Sequence, residues 1–182
     1  MLYLLLANGF EEIEALGTVD FLRRCGIEVK MTSITGTRMV TGAHNIPVMA
    51  DGIMRRGTIE SSDGVILPGG MPGAETLRAS TVIRRALKLL DATDKLIAAI
   101  CAAPMVLGDC GLLTKRSATC YPGFEGWLQG ATILKNANVV EDGNIITANG
   151  PSAMIPFATA IARRFVSDEK IEAVKRAMLF GE

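Results

Sequence analysis

A doubly wound α/β sandwich on a mostly parallel sheet is the fold this sequence predicts, and three observations predict it. Short apolar stretches at residues 2–7, 64–67 and 95–100 suit strands buried on both faces, as parallel sheets require. Each ends abruptly, at Asn8-Gly9, at Pro68-Gly69-Gly70 and at Cys101. Between them lie segments with helical patterning, so strands and helices alternate.

The first strand is followed by a helix predicted over 10–24. Glu11, Glu12 and Glu14 sit in its first turns, Arg23 and Arg24 in its last, and Gly26 lies just past its end, which suits the helix dipole. A second strand is predicted over 28–34, then the turn Thr35-Gly36 and short extended pieces over 38–41 and 46–50. The third strand, 64–67, leads to an amphipathic helix over 81–91 with basic residues on its outer face. The fourth, 95–100, breaks at Cys101, and a helix resumes over 103–107 with Pro104 where a first turn tolerates it. Asp142-Gly143, between 138–141 and 144–148, signals a two-residue hairpin. After Asn149-Gly150-Pro151, two closing helices are predicted over 153–165 and 168–180.

Length and composition bound the function. The 182 residues suit one domain spanning 1–182, since domains usually run about 100 to 150 residues. Hydrophobic residues make up 49% and charged ones 21%, with mean hydropathy +0.31, which excludes a mainly disordered chain. The 19 Lys and Arg balance 19 Asp and Glu, and the basic residues fall in scattered pairs, so neither nucleic acid nor an anionic membrane is expected as a partner. No apolar run reaches the roughly 18 to 20 residues of a membrane span, and residues 1–7 lack the basic start and length of a signal peptide, so a cytoplasmic protein is expected. Cys25, Cys101, Cys110 and Cys120 are too widely spaced for a CxxC pair and are expected as free thiols. No GxGxxG follows a strand, and no Walker, HExxH or EF-hand pattern occurs, so no nucleotide, cofactor or metal is predicted.

In an open α/β sheet, ligands sit beyond the carboxyl ends of the strands, which brings Glu14, Gly69-Gly70 and Cys101 together. Cys101 stands at a strand-to-helix turn among Ala98, Ala99, Ala102 and Ala103, the small neighbours a nucleophile elbow requires. Unpaired N–H groups at the start of the following helix are expected to favour the thiolate. A buried structural cysteine is the alternative, and it is the one adopted for Cys25, Cys110 and Cys120. Glu14 shares a helix stripe with Gly17 and Phe21, where desolvation would raise its pKa and let it hold and pass a proton. Glu11 and Glu12 are read as complements to the helix dipole. Gly69-Gly70 offers two N–H donors for an oxyanion, although Pro-Gly-Gly is also an ordinary turn.

Gly-Phe-Glu-Glu-Ile-Glu-Ala at 9–15, Leu-Pro-Gly-Gly at 67–70, Ala-Ala-Ile-Cys-Ala-Ala-Pro at 98–104 and Asn-Gly-Pro at 149–151 occur in this order. With these motifs the chain resembles, nearly end to end, the DJ-1/ThiJ/PfpI superfamily, and in particular its DJ-1/ThiJ (YajL-like) branch. The resemblance implies a flavodoxin-like three-layer sandwich and a homodimer. It also implies a reactive Cys101 with protonated Glu14 against its sulfur, backbone donors from Gly69, Gly70 and Ala102, and no cofactor. In that family the cysteine oxidises to a sulfinic acid, and glyoxalase III, deglycase, redox-sensing and chaperone roles are proposed. The sequence departs where relatives carry a His before a proline: here the pair is Tyr121-Pro122. The single histidine, His44, and Arg24 align with segments near the family's dimer interface. Pro156 stands where relatives often carry an acid, which predicts a local difference at the pocket rim.

These features favour an enzyme that attacks small reactive aldehydes or glycated substrates through Cys101, with Glu14 relaying the proton. The alternatives are a redox sensor or chaperone that uses oxidation of Cys101, and a small-substrate amidase. Protease chemistry is disfavoured, because Tyr, with a reference pKa near about 10, is a poor base at neutral pH. A thiamine-biosynthetic role finds no phosphate cradle.

Overall fold

The computed structural model describes residues 1–55 and 57–180. The chain runs through β1 (Leu2–Leu6), a wide helical turn at Ile13–Gly17 that continues into α1 (Thr18–Arg24), and β2 (Val29–Ser33). Next come β3 (Met39–Thr41), β4 (Pro47–Met49), β5 (Gly52–Ile53), β6 (Gly64–Leu67), α2 (Gly73–Ala79), α3 (Thr81–Ala92) and β7 (Leu96–Ile100). The remainder comprises α4 (Pro104–Asp109), β8 (Ser117–Ala118), β9 (Thr132–Ile133), β10 (Val139–Asp142), β11 (Ile145–Ala148), α5 (Met154–Ala162) and α6 (Asp168–Ala177).

The main sheet has seven strands in the order β10-β11-β7-β6-β1-β2-β5. Every pair is parallel except the β10–β11 hairpin. Counted along the chain, the central parallel strands β2-β1-β6-β7-β11 follow the 2-1-3-4-5 order of flavodoxin-like folds. The order reverses between β1 and β6, and the crevice at that reversal is where such sheets bind ligands.

Residue-by-residue alternation along the strands builds the two halves of the core. Leu4, Leu6, Ala98, Ile100 and Ile146 point to one face and pack with Phe21 and Leu22 of α1, Phe157 and Ile161 of α5, and Ile171 of α6. Leu5, Val65, Leu67, Ile97 and Ala99 point to the other and pack with Leu77 of α2, Leu87 and Leu90 of α3, and Met105 and Leu107 of α4. The continuous apolar runs thus reflect burial on both faces, as expected for central parallel strands.

Several boundaries differ from the sequence expectation. The helix expected from residue 10 opens as a π-type turn at Ile13–Gly17, which has no signature in 3.6-residue periodicity. Helix α2 was absent from the expectation: only seven residues long, it sits between the turn signal Pro72-Gly73 and Ser80, whose hydroxyl accepts from Ile83 N at 3.4 Å and caps α3. The hairpin turn is Gly143-Asn144, one residue later than expected, with Gly143 at φ +61° and Asp142 paired with Ile145. The last two helices end earlier, at Ala162 and Ala177.

Phe157 is fully buried between α5 and the sheet. Phe157→Ala is expected to lower unfolding free energy by about 3–5 kcal/mol in denaturant titration, because the cavity closes only partly. Truncation of half-exposed Phe165 should cost far less.

Candidate active site

Adjacent strands β1, β6 and β7 end side by side, and the segments that leave them form the site. The loops after β1 and β6 are knitted by backbone bonds: Glu11 N donates to Gly69 O at 2.9 Å and Gly73 N to Gly9 O at 3.3 Å. Gly70, at φ +85°, is confined to glycine twice over, since a Cβ there would fall 2.5 Å from Gly9 O and 2.6 Å from the Phe10 carbonyl carbon.

Cys101 adopts φ +64°, in the left-handed region that a side chain rarely occupies. Its backbone is pinned on both sides, with Cys101 N donating to Ala148 O at 2.9 Å and its carbonyl accepting from Tyr121 N at 2.8 Å. Pro104 opens α4 three residues later. This is the geometry of a nucleophile elbow, and holding a non-glycine residue there costs on the order of 1–3 kcal/mol, which the surrounding packing must supply.

Glu14 is completely buried. The wide turn aims its carboxyl inward, where Oε2 accepts from Gly69 N at 2.8 Å. Oε1 is buried without a conventional hydrogen bond, and the carboxyl's other neighbour is the Cys101 thiol. Both groups crowd the same point over Gly69: a Cβ there would lie 2.6 Å from Cys101 Cβ and 2.7 Å from Glu14 Oε2.

Burial is the main force on both acids. It raises the Glu14 pKa to about 7, aided by the nearby Glu11 charge and opposed by the Cys101 thiol and the Gly69 amide. The Cys101 thiol is pushed up by burial and then by the facing Glu14 carboxylate, against the amides of Ala102 and Gly70. The expectation that N–H groups at the start of the helix favour the thiolate is therefore corrected: the Ala102 and Gly70 amides act in that direction, but burial and Glu14 outweigh them. A proton is shared by the Cys101–Glu14 pair, and a thiolate requires that Glu14 carry it. The Gly69 N–H, expected to face an oxyanion, is committed to Glu14. The amides beside the sulfur belong to Gly70 and Ala102.

Of the peripheral residues, Tyr121 is drawn to the elbow through its backbone bond, and its half-exposed ring lies against Gly150 and edge-on to Phe124. His44 is engaged elsewhere: its backbone N–H donates to Glu12 Oε1 and its Nδ1 meets Glu12 Oε2, both at 2.8 Å. Arg24 bonds Asp20 at 2.9 Å on the exposed side of α1. Pro156 lies away from the expected pocket rim, in a separate recess with Val139, Glu141 and Arg163. Cys25, Cys110 and Cys120 are buried free thiols.

Glu11 and Glu12 do more than complement a helix dipole. Both are buried, Glu11 accepts from Glu14 N at 2.7 Å, and Glu12 holds His44. The Glu-x-x-Glu spacing at 11 and 14 was the available signal for the first bond, since an acid three residues ahead can cap a helical N–H. Glu11, Glu12 and His44 bring ligand atoms within 4.8 Å of one another, but these atoms already serve bonds within the protein.

Comparison with known proteins agrees with this geometry. Residues 1–164 match the DJ-1/PfpI family. The chain is 34% identical to Protein dj-1beta of Drosophila melanogaster over 96% of this chain and 94% of that one. It is 30% identical to the glutathione-independent glyoxalase DJR-1.2 of Caenorhabditis elegans over 100% and 96%. It spans 38% and 45% of the length of DJ-1 homologs B and A of Arabidopsis thaliana. The crystal structure of Drosophila DJ-1beta superposes with a TM-score of 0.92, covering 100% of this chain and 98% of that one at 33% identity. Oxidized Toxoplasma gondii DJ-1 gives 0.91 at 34% identity, with 100% and 98% covered. With a match this long and a fold this close, the chain belongs to the DJ-1/PfpI family.

Proposed function

We propose that this protein is a cofactor-independent enzyme that converts small reactive dicarbonyls, such as methylglyoxal, to hydroxy acids through Cys101. The observation that carries this reading is the buried Glu14 carboxyl, which has one oxygen held by Gly69 and the thiol as its remaining neighbour. As the sulfur bonds to the aldehyde carbon, the thiol proton passes to Glu14, and the Gly70 and Ala102 amides stabilise the oxygen anion. Glu14 returns the proton to give a hemithioacetal. It then takes the proton from that carbon and delivers it to the neighbouring carbon, while the hydroxyl proton passes to the adjacent carbonyl oxygen, which yields a thioester, and water releases lactate and the free thiol. The reaction is redox-neutral. The C. elegans relative's name, a glutathione-independent glyoxalase, supports this class. A deglycase would use the same groups on a carbonyl already joined to an amine or thiol.

A second reading, a redox sensor or chaperone in which Cys101 is oxidised to a sulfinate, is supported by the same amides and by the oxidized state named for the Toxoplasma neighbour. It predicts that Cys101 oxidises before Cys25, Cys110 and Cys120. The cytoplasm is the compartment we assign. We also assign a homodimer, for which the support is a run of exposed apolar side chains: Met39 opposite Met49 on the β3–β4 hairpin, with Ile46 and Ile13. The Glu12–His44 bond ties the Ile13 turn to that hairpin.

Methylglyoxal consumption with lactate formation is expected for the wild type and is expected to be lost in Cys101→Ala and Glu14→Gln. Equal near-background rates in all three would sink the enzyme reading. The working form holds one proton between the two acids, so kcat/KM should rise about tenfold per pH unit below about 7 and level off above it.

Stability should show the opposite trend. Because the folded Glu14 pKa lies above its ordinary 4.5, its contribution is fully present below that value and is lost as pH rises to about 7, about 3 kcal/mol in all. Glu14→Gln should therefore melt several degrees above wild type at pH 8, with the gap closing towards pH 4.5. Sedimentation should give twice the 19.4 kDa chain mass, and Met49→Lys should shift it towards the monomer.

A further inference from the structure

The outer face of α3 carries a feature that the cysteine chemistry does not use. Val82, Arg85, Leu89 and Ala92 fall at i, i+3, i+7 and i+10, a single helical stripe. The stripe faces the segment after β5 across a groove of about 920 Å³, which shares no lining residue with the Cys101 site. This volume lies in the range of small-molecule sites. Val82 and Leu89, 49% and 46% exposed, form its apolar wall on α3, and Met54 lines it from the other side.

The same groove is basic. Arg55, Arg85 and Lys88 line it against one acid, Glu60, although the whole chain has no net charge. Among the described residues these three cations have no ion-pair partner, whereas their helix neighbour Arg84 is held by Asp109 at 3.0 Å. Arg85 and Lys88 also line a second recess of about 320 Å³, together with Thr81 and Arg84. An apolar groove and a basic recess therefore share one wall. Val82 to Ala92 rises about 15 Å along the helix, enough to seat a medium alkyl chain.

We propose that this groove binds a small amphiphilic anion, with an alkyl body against Val82, Leu89 and Met54 and an anionic oxygen head group at Arg85 and Lys88. The apolar wall supplies area removed from water, and the cations fix orientation and discriminate against neutral analogues. Flexible stems let Arg85 and Lys88 cover the alkyl body while their charged ends meet the head.

Titration of the full chain with decanoate, decyl phosphate, decanol and acetate, followed by calorimetry and amide NMR shifts, tests this. Decanoate is expected to bind about tenfold or more tightly than decanol, with acetate undetectable and shifts confined to α3 and to Met54, Arg55, Gly57 and Glu60. Decyl phosphate against decanoate identifies the preferred head. The exposed double variant Arg85→Glu/Lys88→Glu should lose about tenfold or more for decanoate with little change for decanol, and Leu89→Asp should weaken both. Methylglyoxal turnover should be unaffected by the double variant. Equal affinity for decanoate and decanol, shifts centred elsewhere, or unchanged decanoate binding in the charge-reversed variant would each overturn the proposal.

Discussion

A carboxyl group with no access to water, held by one amide and set against one thiol, is the constraint around which this molecule is arranged. Glu14 cannot reach the Gly69 amide unless the strands before them, β1 and β6, are neighbours, and cannot meet Cys101 unless β7 lies next. The reversal of strand order supplies both conditions. Around this contact every element has a positional duty. Gly70 lets the loops after β1 and β6 touch, Ala148 and Tyr121 clamp the elbow, and Glu11 fixes the turn that aims Glu14 inward.

The energetics run against stability at each of these points. A buried carboxyl whose one oxygen lacks a conventional partner, a cysteine at positive φ and two acids confined together all raise the energy of the folded state. The alternating leucines, isoleucines and alanines of β1, β6 and β7 offset this by burying apolar side chains on both sheet faces. A rigid, fully packed frame is what allows a strained and poorly solvated centre to persist.

Much of this was legible in the sequence, and the rest failed for physical reasons. The strands were readable because burial on both faces writes an unbroken apolar run, and residues 64–67 matched β6 at both ends. Cys101 and Glu14 were readable as a strand-end thiol and a carboxyl on an inward stripe. The division of labour between Gly69 and Gly70 was not readable, because which N–H points where depends on two loops docking. Nor was the charge state of Cys101, since local sequence advertises the helix-end amides but not the carboxylate that approaches from 87 residues away. The role of Glu12 was hidden for the same reason, since His44 reaches it across 32 residues of chain, whereas the bond from Glu14 N to Glu11 is local and left a signal in their spacing.

Gly69 has a consequence for how this site can change over evolutionary time. Because the thiol carbon and the carboxyl oxygen both crowd the point where its side chain would begin, the three positions behave as one heritable unit. Effects of substitutions at Gly69, Glu14 and Cys101 are expected to be non-additive, because the three positions are in contact. Divergence by single steps is therefore open at the half-exposed Tyr121 beside the elbow and closed at the centre, so new specificities would arise around an unchanged triplet.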